Sequence, residues 1–223
     1  MSVTTTRPLR RDAALNRERL LDEAEKYFAE AGIDASLHEL AERTGVGIGT
    51  LYRRFPTYAD LIRALYDRAA ARIDVVMEQL AELDSGWDQV VAFLDGNLAI
   101  LVDYPATPAV LHRMSELDPD YRPGMRWEEA VAAFVQRAHD EGSLRTDVTG
   151  TDLGMLPLAM ASVLRFPEPQ RGVALARYRT ITLDGLRASD TAQPMPTEPF
   201  STDDLNIAVH GRRAEPPTRA ERT

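Results

Sequence analysis

Apolar residues recur at intervals of three and four positions along most of this chain, which is the spacing of one face of an α-helix. The first such stretch, residues 14–31, has these apolar positions: Leu20, Leu21, Ala24, Phe28 and Ala31. Gly32 follows, and glycine commonly ends helices because it adopts left-handed backbone conformations at little cost. Almost no segment alternates apolar and polar residues as a strand would. The pattern therefore predicts an all-α protein.

The same periodicity predicts further helices. Their expected ranges are 36–44, 47–54, 57–83, 87–104, 108–117, 125–142, 151–166 and 169–188. Two of these helices begin with the spacing of a capping box, in which a hydroxyl and a carboxylate three residues later each bind a free backbone N–H group. The two pairs are Ser36 with Glu39 and Thr57 with Asp60. Pro157 is expected to favour a kink in the helix at 151–166.

Both ends of the chain lack this helical pattern. Residues 1–13 are expected to form a flexible arm. Residues 189–223 are rich in Pro, Thr, Asp, Glu and Arg and poor in apolar residues, a composition typical of a disordered tail. One stretch of the tail, residues 199–209, contains Phe200, Leu205, Ile207 and Val209, and it leaves open the alternative that the tail docks on the body.

The charge distribution changes the picture given by the net charge of −9. Residues 1–58 carry nine basic and nine acidic side chains, whereas the rest of the chain carries 17 basic and 26 acidic ones. A neutral first part joined to an acidic second part indicates two separate roles. The chain has no cysteine, which excludes disulfides and thiolate metal sites. It also has no apolar run long enough to cross a bilayer, so a cytoplasmic protein with no membrane partner is expected.

Residues 45–57, GVGIGTLYRRFPT, are the stretch that carries candidate chemistry. A phosphate-binding loop is disfavoured, because the glycines lack the GxGxxG and Gly-Lys-Ser/Thr spacings and no strand precedes them. A linker is disfavoured because Val46, Leu51 and Phe55 have the spacing of core residues. A helix-turn-helix explains every position, with Gly45 in the turn and residues 47–54 as the reading helix.

The segment LLDEAEKYFAEAGIDASLHELAERTGVGIGTLYRRFPTYADLIRALY resembles the DNA-binding domain of the TetR family of transcriptional regulators. The resemblance covers about residues 15–66. Its marks are Phe28 to Gly32, Leu40-Ala41, Gly45-Val46, Thr50-Leu51-Tyr52 and Phe55-Pro56. A shorter stretch, EGSLRTDVTGTDL at 141–153, resembles a connection in many ligand-binding domains of that family.

The resemblance implies about nine helices per subunit, a homodimer, a palindromic operator DNA and a small-molecule effector that relieves repression. It implies a helix-turn-helix DNA-binding domain at 14–58 and a ligand-binding and dimerisation domain at 59–188. Broad apolar faces at 151–166 and 169–188 suit a four-helix dimer interface. By position, the residues expected to contact DNA are Ser36, Ile48, Gly49, Thr50, Tyr52, Arg53, Arg54 and Thr57.

Each of these assignments has a plainer alternative. Ser36 and Thr57 are explained equally well as helix caps. Ile48 stands where many relatives have a basic or polar residue, so it either meets a thymine methyl group or reads nothing. A ligand pocket is expected to use large side chains that are otherwise ordinary core residues, namely Phe93, Trp127, Phe134, Met155 and Met160.

No catalytic constellation is found. His112 and Glu116 share a helix face, but no third metal ligand follows from the sequence, so neither a metal nor another cofactor is expected. The chain is therefore expected not to be an enzyme. The alternative to a ligand-responsive repressor is an all-helical ligand- or partner-binding protein without DNA reading, which need not keep Gly49, Thr50, Tyr52, Arg53 and Arg54 together.

Overall fold

The structure, a computed structural model, describes residues 7–201 and 204, with side chains from residue 16 onward. Within these residues it contains nine α-helices and no β-strand. The helices are α1 Arg7–Ala31, α2 Leu37–Thr44, α3 Ile48–Arg54, α4 Tyr58–Ala81, α5 Gly86–Asp103, α6 Thr107–Leu117, α7 Glu128–Asp140, α8 Gly150–Met160 and α9 Gln170–Leu186. Two 3₁₀ helices, Pro123–Trp127 and Ala161–Arg165, precede α7 and follow α8. The predicted all-α class and all nine predicted helices are confirmed.

The first helix begins earlier than expected. The backbone is helical from Arg7, so residues 7–13 of the expected flexible arm belong to α1 in this structure. Pro8 is tolerated in the first helical turn because no hydrogen bond is lost there. Neither glycine nor proline occurs between Pro8 and Gly32, so no residue interrupts the helix. The remainder of the arm, residues 1–6, lies outside the described residues.

Two predicted helices are divided. The expected helix at 125–142 is the 3₁₀ helix Pro123–Trp127 followed by α7, and the one at 151–166 is α8 followed by the 3₁₀ helix Ala161–Arg165. Pro157 lies inside α8 and is buried. An unpredicted capping box begins α8, where Thr149 and Asp152 bind each other's backbone N–H groups.

The apolar residues form two main cores. The first joins α1, α2, α3, the beginning of α4 and part of α6, and its fully buried side chains include Leu21, Leu40, Leu51, Leu61, Ile62, Leu65 and Met114. The second joins the end of α4 with α5, α7, α8 and the last turn of α9. Because α4 and α6 contribute to the first core, the first three helices do not pack as an isolated unit.

Helix α9 is much less buried than the others. Of its 17 residues, only Leu186 is buried, whereas Val173 and Ile181 are each 58% exposed and Tyr178 is 49% exposed. An apolar helix face left open to solvent on a monomer is typical of an association surface.

The segment after α9, residues 189–201, has no regular secondary structure, yet it is attached to the body. We call this segment the C-terminal strap. Arg145 donates to the backbone oxygen of Gln193 at 2.6 Å, and the N–H group of Met195 donates to Asp147 at 2.9 Å. Thr151 donates to the backbone oxygen of Phe200 at 2.7 Å. The beginning of the expected disordered tail is therefore docked in this structure, and residues 205–223 lie outside the described residues.

Among the described residues, no single helix is long and apolar enough to span a membrane. Helices α5 and α6, which are sharply bent relative to each other, reach the length and apolar composition of a membrane span only when they are taken together.

Candidate DNA-binding surface and ligand cavity

A glycine turn joins α2 to α3. Gly45 has a φ of +68°, a left-handed conformation that residues with a β-carbon rarely adopt. Its N–H group donates to the carbonyl oxygen of Glu42 at 3.1 Å, and that of Val46 donates to Ala41 at 3.1 Å. These bonds satisfy the last carbonyl groups of α2 and set the angle at which α3 leaves the turn.

Helix α3 has one buried face and one open face. Leu51 and Phe55 are buried in the first core, with exposed fractions of 1% and 3%. On the opposite face Tyr52 is 45% exposed and Arg53 is exposed, while Thr50 and Arg54 are half-buried. The Arg53 guanidinium lies 3.5 Å from the Thr50 hydroxyl oxygen. The open face therefore presents a phenol, guanidinium groups and a hydroxyl, which are groups that contact phosphates and base edges.

The backbone at the start of α3 is uncovered. A β-carbon added at Gly47 or Gly49 would meet no atom within 4 Å. Neither glycine is therefore required by packing within the chain, and the absence of their side chains leaves the backbone of the first turn open to an approaching molecule.

Ile48 differs from its neighbours. Its side chain is half-buried and packs against the first core. This packing accounts for an apolar residue at a position where the sequence suggested a base contact.

The two candidate helix starts, Ser36 and Thr57, are both exposed but are built differently. Thr57 and Asp60 form the predicted capping box, with the Thr57 N–H group donating to Asp60 at 2.9 Å. The capping box predicted for Ser36 and Glu39 is wrong. Ser36 accepts from the N–H group of His38 at 3.2 Å, but Glu39 instead accepts the hydroxyl of Tyr27 at 2.7 Å. That bond to a carboxylate raises the pKa of Tyr27.

A cavity of about 500 Å³ lies among the helices of the second part of the chain. Its wall is mainly apolar and comes from α4 to α8, the 3₁₀ helix Pro123–Trp127 and the strap. The large side chains on the wall are Tyr66, Ile73, Phe93, Ile100, Leu101, Leu111, Met125, Trp127, Leu158 and Phe200. The polar ones are Asn97, Thr107, Glu128, Thr149, Thr151 and Ser201.

Hydrogen bonds hold the wall residue Trp127 in place. Its indole N–H group donates to Asp74 of α4 at 2.8 Å, and Arg126 donates to both carboxylate oxygens of Asp74 at 2.9 and 2.5 Å. The bond from Arg126 is the main reason why the pKa of Asp74 is lowered. Burial raises the pKa of Tyr66, so this phenol faces the cavity in its neutral form at physiological pH.

Comparison with known proteins identifies the family. The family model described as bacterial regulatory proteins, tetR family, matches residues 20–65. The crystal structure of the TetR transcriptional regulator SCO0520 from Streptomyces coelicolor is 32% identical, with a TM-score of 0.56, over 78% of this chain and 99% of that one. The chain belongs to the TetR family.

Two further proteins are similar to this chain, one in part of its sequence and one in its fold. The transcriptional regulator SAR2658 of Staphylococcus aureus (strain MRSA252) is 30% identical over 103 residues, which are 44% of this chain and 54% of that protein. The chain therefore spans about half the length of this curated relative. The ketosteroid transcriptional regulator KstR2 of Mycobacterium tuberculosis shares the TetR fold, with a TM-score of 0.61 and 16% identity over 78% of this chain and 95% of that one. As a TetR-family member, the chain is a DNA-binding transcriptional regulator and not an enzyme.

The cavity contains two of the five side chains named from the sequence. Phe93 and Trp127 line it. Phe134 is buried behind Phe93, with the ring centroids 5.5 Å apart, and it does not line the cavity. Met155 does not line it, and neither does Met160, which packs with Leu94 and Leu98 in a third, small apolar cluster.

Other wall residues of this TetR-family chain were missed. Tyr66, Asn97, Thr107, Met125 and Phe200 lie in five different parts of the chain. No local pattern connects them, although Phe200 belongs to the apolar stretch at 199–209 that left docking of the tail open.

Helix α6 is shared by the two parts of the molecule. Its Thr107 and Leu111 line the cavity, whereas Val110 and Met114 are buried in the core that supports α3. An ion pair between Arg113 of α6 and Asp34, in the loop between α1 and α2, adds a second connection.

Proposed function

We propose that this TetR-family chain is a ligand-responsive repressor that binds a palindromic operator as a homodimer and releases it when a small molecule occupies the cavity. The observation that carries this proposal is α6, because neighbouring side chains on one face of this helix line the cavity and pack in the core beneath α3, and Leu111 does both. A ligand that displaces Thr107 or Leu111 acts directly on the support of the DNA-binding helices.

The open face of α3 supports the DNA interface. We assign the base and phosphate contacts to Gly49, Thr50, Tyr52, Arg53 and Arg54. In a second set of contacts, the exposed helix starts at Ser36 and Thr57 offer N–H groups and hydroxyls to the phosphate backbone. Ile48 packs this edge of α3 against the core. At most, its side chain offers a methyl group for an apolar contact with thymine.

The exposed face of α9 supports the dimer. Val173, Tyr178 and Ile181 leave a large apolar surface uncovered, which α8 and α9 of a second copy would bury in a four-helix interface. Two copies related by a two-fold axis place their α3 helices in successive major grooves, about 34 Å apart, which requires a palindromic site.

The cavity wall supports an uncharged, largely apolar or aromatic ligand. A volume of about 500 Å³ lies in the range of pockets for small molecules. Glu128 is the one charged residue on the described wall, so an anion finds no complementary charge there.

The proposed functions divide the chain into two domains. We propose DNA binding by residues 14–58, and ligand binding and dimerisation by residues 59–188. The family assignment and the open, glycine-lined edge of α3 both argue against the alternative of an all-helical ligand- or partner-binding protein without DNA reading.

Selection of bound fragments from a random DNA pool tests the proposal. We expect one palindromic sequence to be enriched, and a cavity ligand found by thermal shift to weaken its binding. By thermodynamic reciprocity, the operator must weaken ligand binding by the same factor. Recovery of no preferred sequence would contradict binding to a palindromic operator, and equal operator affinity with and without the ligand would remove the role of that ligand as an effector.

A further inference from the structure

We propose that the C-terminal strap, residues 189–201, closes the ligand cavity, with Phe200 as the side chain that controls passage through its mouth. The inference rests on the proposed role of the cavity as the effector site, and it adds a residue that determines which molecules enter and how long they stay.

The first observation is the position of Phe200. It lines the cavity and is also 55% exposed, so its ring lies where the cavity meets solvent. Met125, from the 3₁₀ helix before α7, combines the same two properties with an exposed fraction of 53%. These two side chains mark the mouth of the cavity, one carried by the helical body and the other by the strap.

The second observation is how the strap is held. Arg145 forms two hydrogen bonds with Asp147, at 2.7 and 2.9 Å, and these two residues then bind Gln193 and Met195 of the strap. The bonds from Arg145 and from the Met195 N–H group hold the pKa of Asp147 well below its usual range. The strap therefore has a charged anchor that stays ionised throughout the physiological range.

The last attachment lies next to Phe200 itself. Thr151, in the first turn of α8, donates its hydroxyl to the backbone oxygen of Phe200 at 2.7 Å, and Thr151 also lines the cavity. A single neutral hydrogen bond at an exposed site contributes little net stability, because water competes for both partners. The strap is thus firmly anchored at Asp147 and weakly attached at the mouth, which allows the Phe200 end to open while the anchor holds.

Binding kinetics of Nile red, an uncharged apolar dye that fluoresces in apolar surroundings, test the proposal on the full-length protein. Phe200→Ala removes the ring, and Thr151→Val removes the hydroxyl that holds it. Because both changes open the mouth, we expect association and dissociation each to become about tenfold faster, as when a lid limits exchange.

Matched controls separate closure from general damage. Met195→Ala removes another exposed apolar side chain of the strap that does not line the cavity, and Thr151→Ser keeps the hydroxyl. Both are expected to retain wild-type rates. Ala132→Phe fills the cavity and identifies the dye signal that comes from inside it.

Three results oppose the inference. Rates for Phe200→Ala within twofold of wild type overturn the strap's role and leave the effector cavity intact. Faster dissociation with unchanged association shows that Phe200 is a wall contact and not a gate. If Ala132→Phe changes the dye signal neither in the wild-type background nor in the Phe200→Ala background, the dye does not bind in the cavity. Both the closure by the strap and the role of the cavity in binding are then rejected.

Discussion

The guanidinium carbon of Arg72 lies 3.3 Å from the ring centroid of Tyr104. The same guanidinium donates to both carboxylate oxygens of Glu25, at 2.7 and 2.9 Å. Arg72 belongs to α4, Glu25 to α1, and Tyr104 directly follows α5. One side chain therefore connects a helix of the DNA-binding part with the end of a helix that lines the cavity.

Replacement of Arg72 should destabilise the fold. Arg72→Met keeps the packing of the stem but leaves the carboxylate of Glu25, 11% exposed, with only the longer contact to Arg68 at 3.5 Å, and we expect the free energy of unfolding to fall by about 2 kcal/mol. Arg72→Lys should lose less, because a charge remains. Urea denaturation measures both. Adding Glu25→Gln to Arg72→Met should restore part of the loss, and a double variant no more stable than Arg72→Met would show that the pair is not responsible.

Gly49→Ala should separate stability from DNA binding. The added methyl group meets no atom of the chain, and alanine favours a helix over glycine by up to about 1 kcal/mol. We expect unchanged or increased stability in thermal unfolding together with weaker operator binding, because the methyl group lies where the DNA backbone or a base edge would approach. Full operator affinity in fluorescence anisotropy would place this edge outside the interface.

Arg53→Ala and Tyr52→Phe should weaken DNA binding without unfolding the protein, since both side chains are exposed. If Arg53 contacts a phosphate, the loss should be similar on operator and random duplexes, and the slope of log affinity against log salt should flatten by about one. Arg171→Ala, at the start of α9, serves as the control and should keep the wild-type slope. Unchanged affinity of both variants at every salt concentration would contradict the assignment.

Ile181→Glu should convert a dimer into monomers. The side chain is 58% exposed on a single chain, so glutamate there costs the monomer little, but it would place a carboxylate in the apolar centre of the interface. Val75→Glu, at a 50% exposed position of α4, is the matched control and should stay dimeric. Analytical ultracentrifugation distinguishes the two, and a dimeric Ile181→Glu variant would move the interface elsewhere.

Glu141 should contribute stability that depends on pH. Its carboxylate accepts from the N–H groups of Gly86 at 2.8 Å and Trp87 at 3.3 Å, the first residues of α5. These bonds lower the pKa of Glu141 in the folded state, with the Gly86 bond as the largest cause. Because the folded-state pKa is the lower one, the stabilisation is complete well above pH 4.5 and is lost as the pH falls through the folded-state value. Wild type should therefore melt above Glu141→Gln at pH 7, and the two melting temperatures should converge in acid. A constant difference across this range would assign the effect to shape and not to charge.

The two capping boxes show what the sequence can predict and what it cannot. Thr57 and Asp60 pair as expected, because the motif involves residues only three positions apart. Ser36 and Glu39 have the same spacing, but the hydroxyl of Tyr27, twelve positions before Glu39, binds the carboxylate instead. The sequence therefore predicts a hydrogen bond between residues three positions apart, but it does not predict a competing partner that the tertiary fold brings close.

The cavity shows the same limit. Helical periodicity identifies Phe93, Phe134 and Met160 equally well as buried, and all three are. Whether a buried side chain borders the cavity depends on how several helices pack. This packing places Phe93 on the cavity wall and Phe134 behind it. The assignment of the DNA-contacting residues on α3 remains a prediction, whereas the packing of Ile48 follows directly from the structure.

The position of α6 between the first core and the cavity limits how this regulator can be recombined with others. A fragment that ends after α4 would expose the apolar surface that Val110 and Met114 cover, so it should aggregate or melt early. A chimaera that gives these DNA-binding helices a foreign sensor would need to retain α6, or to replace it with a helix shaped for the same groove. Evolution can therefore exchange the DNA-binding helices only together with α6, although α6 belongs to the sensor by its position in the chain.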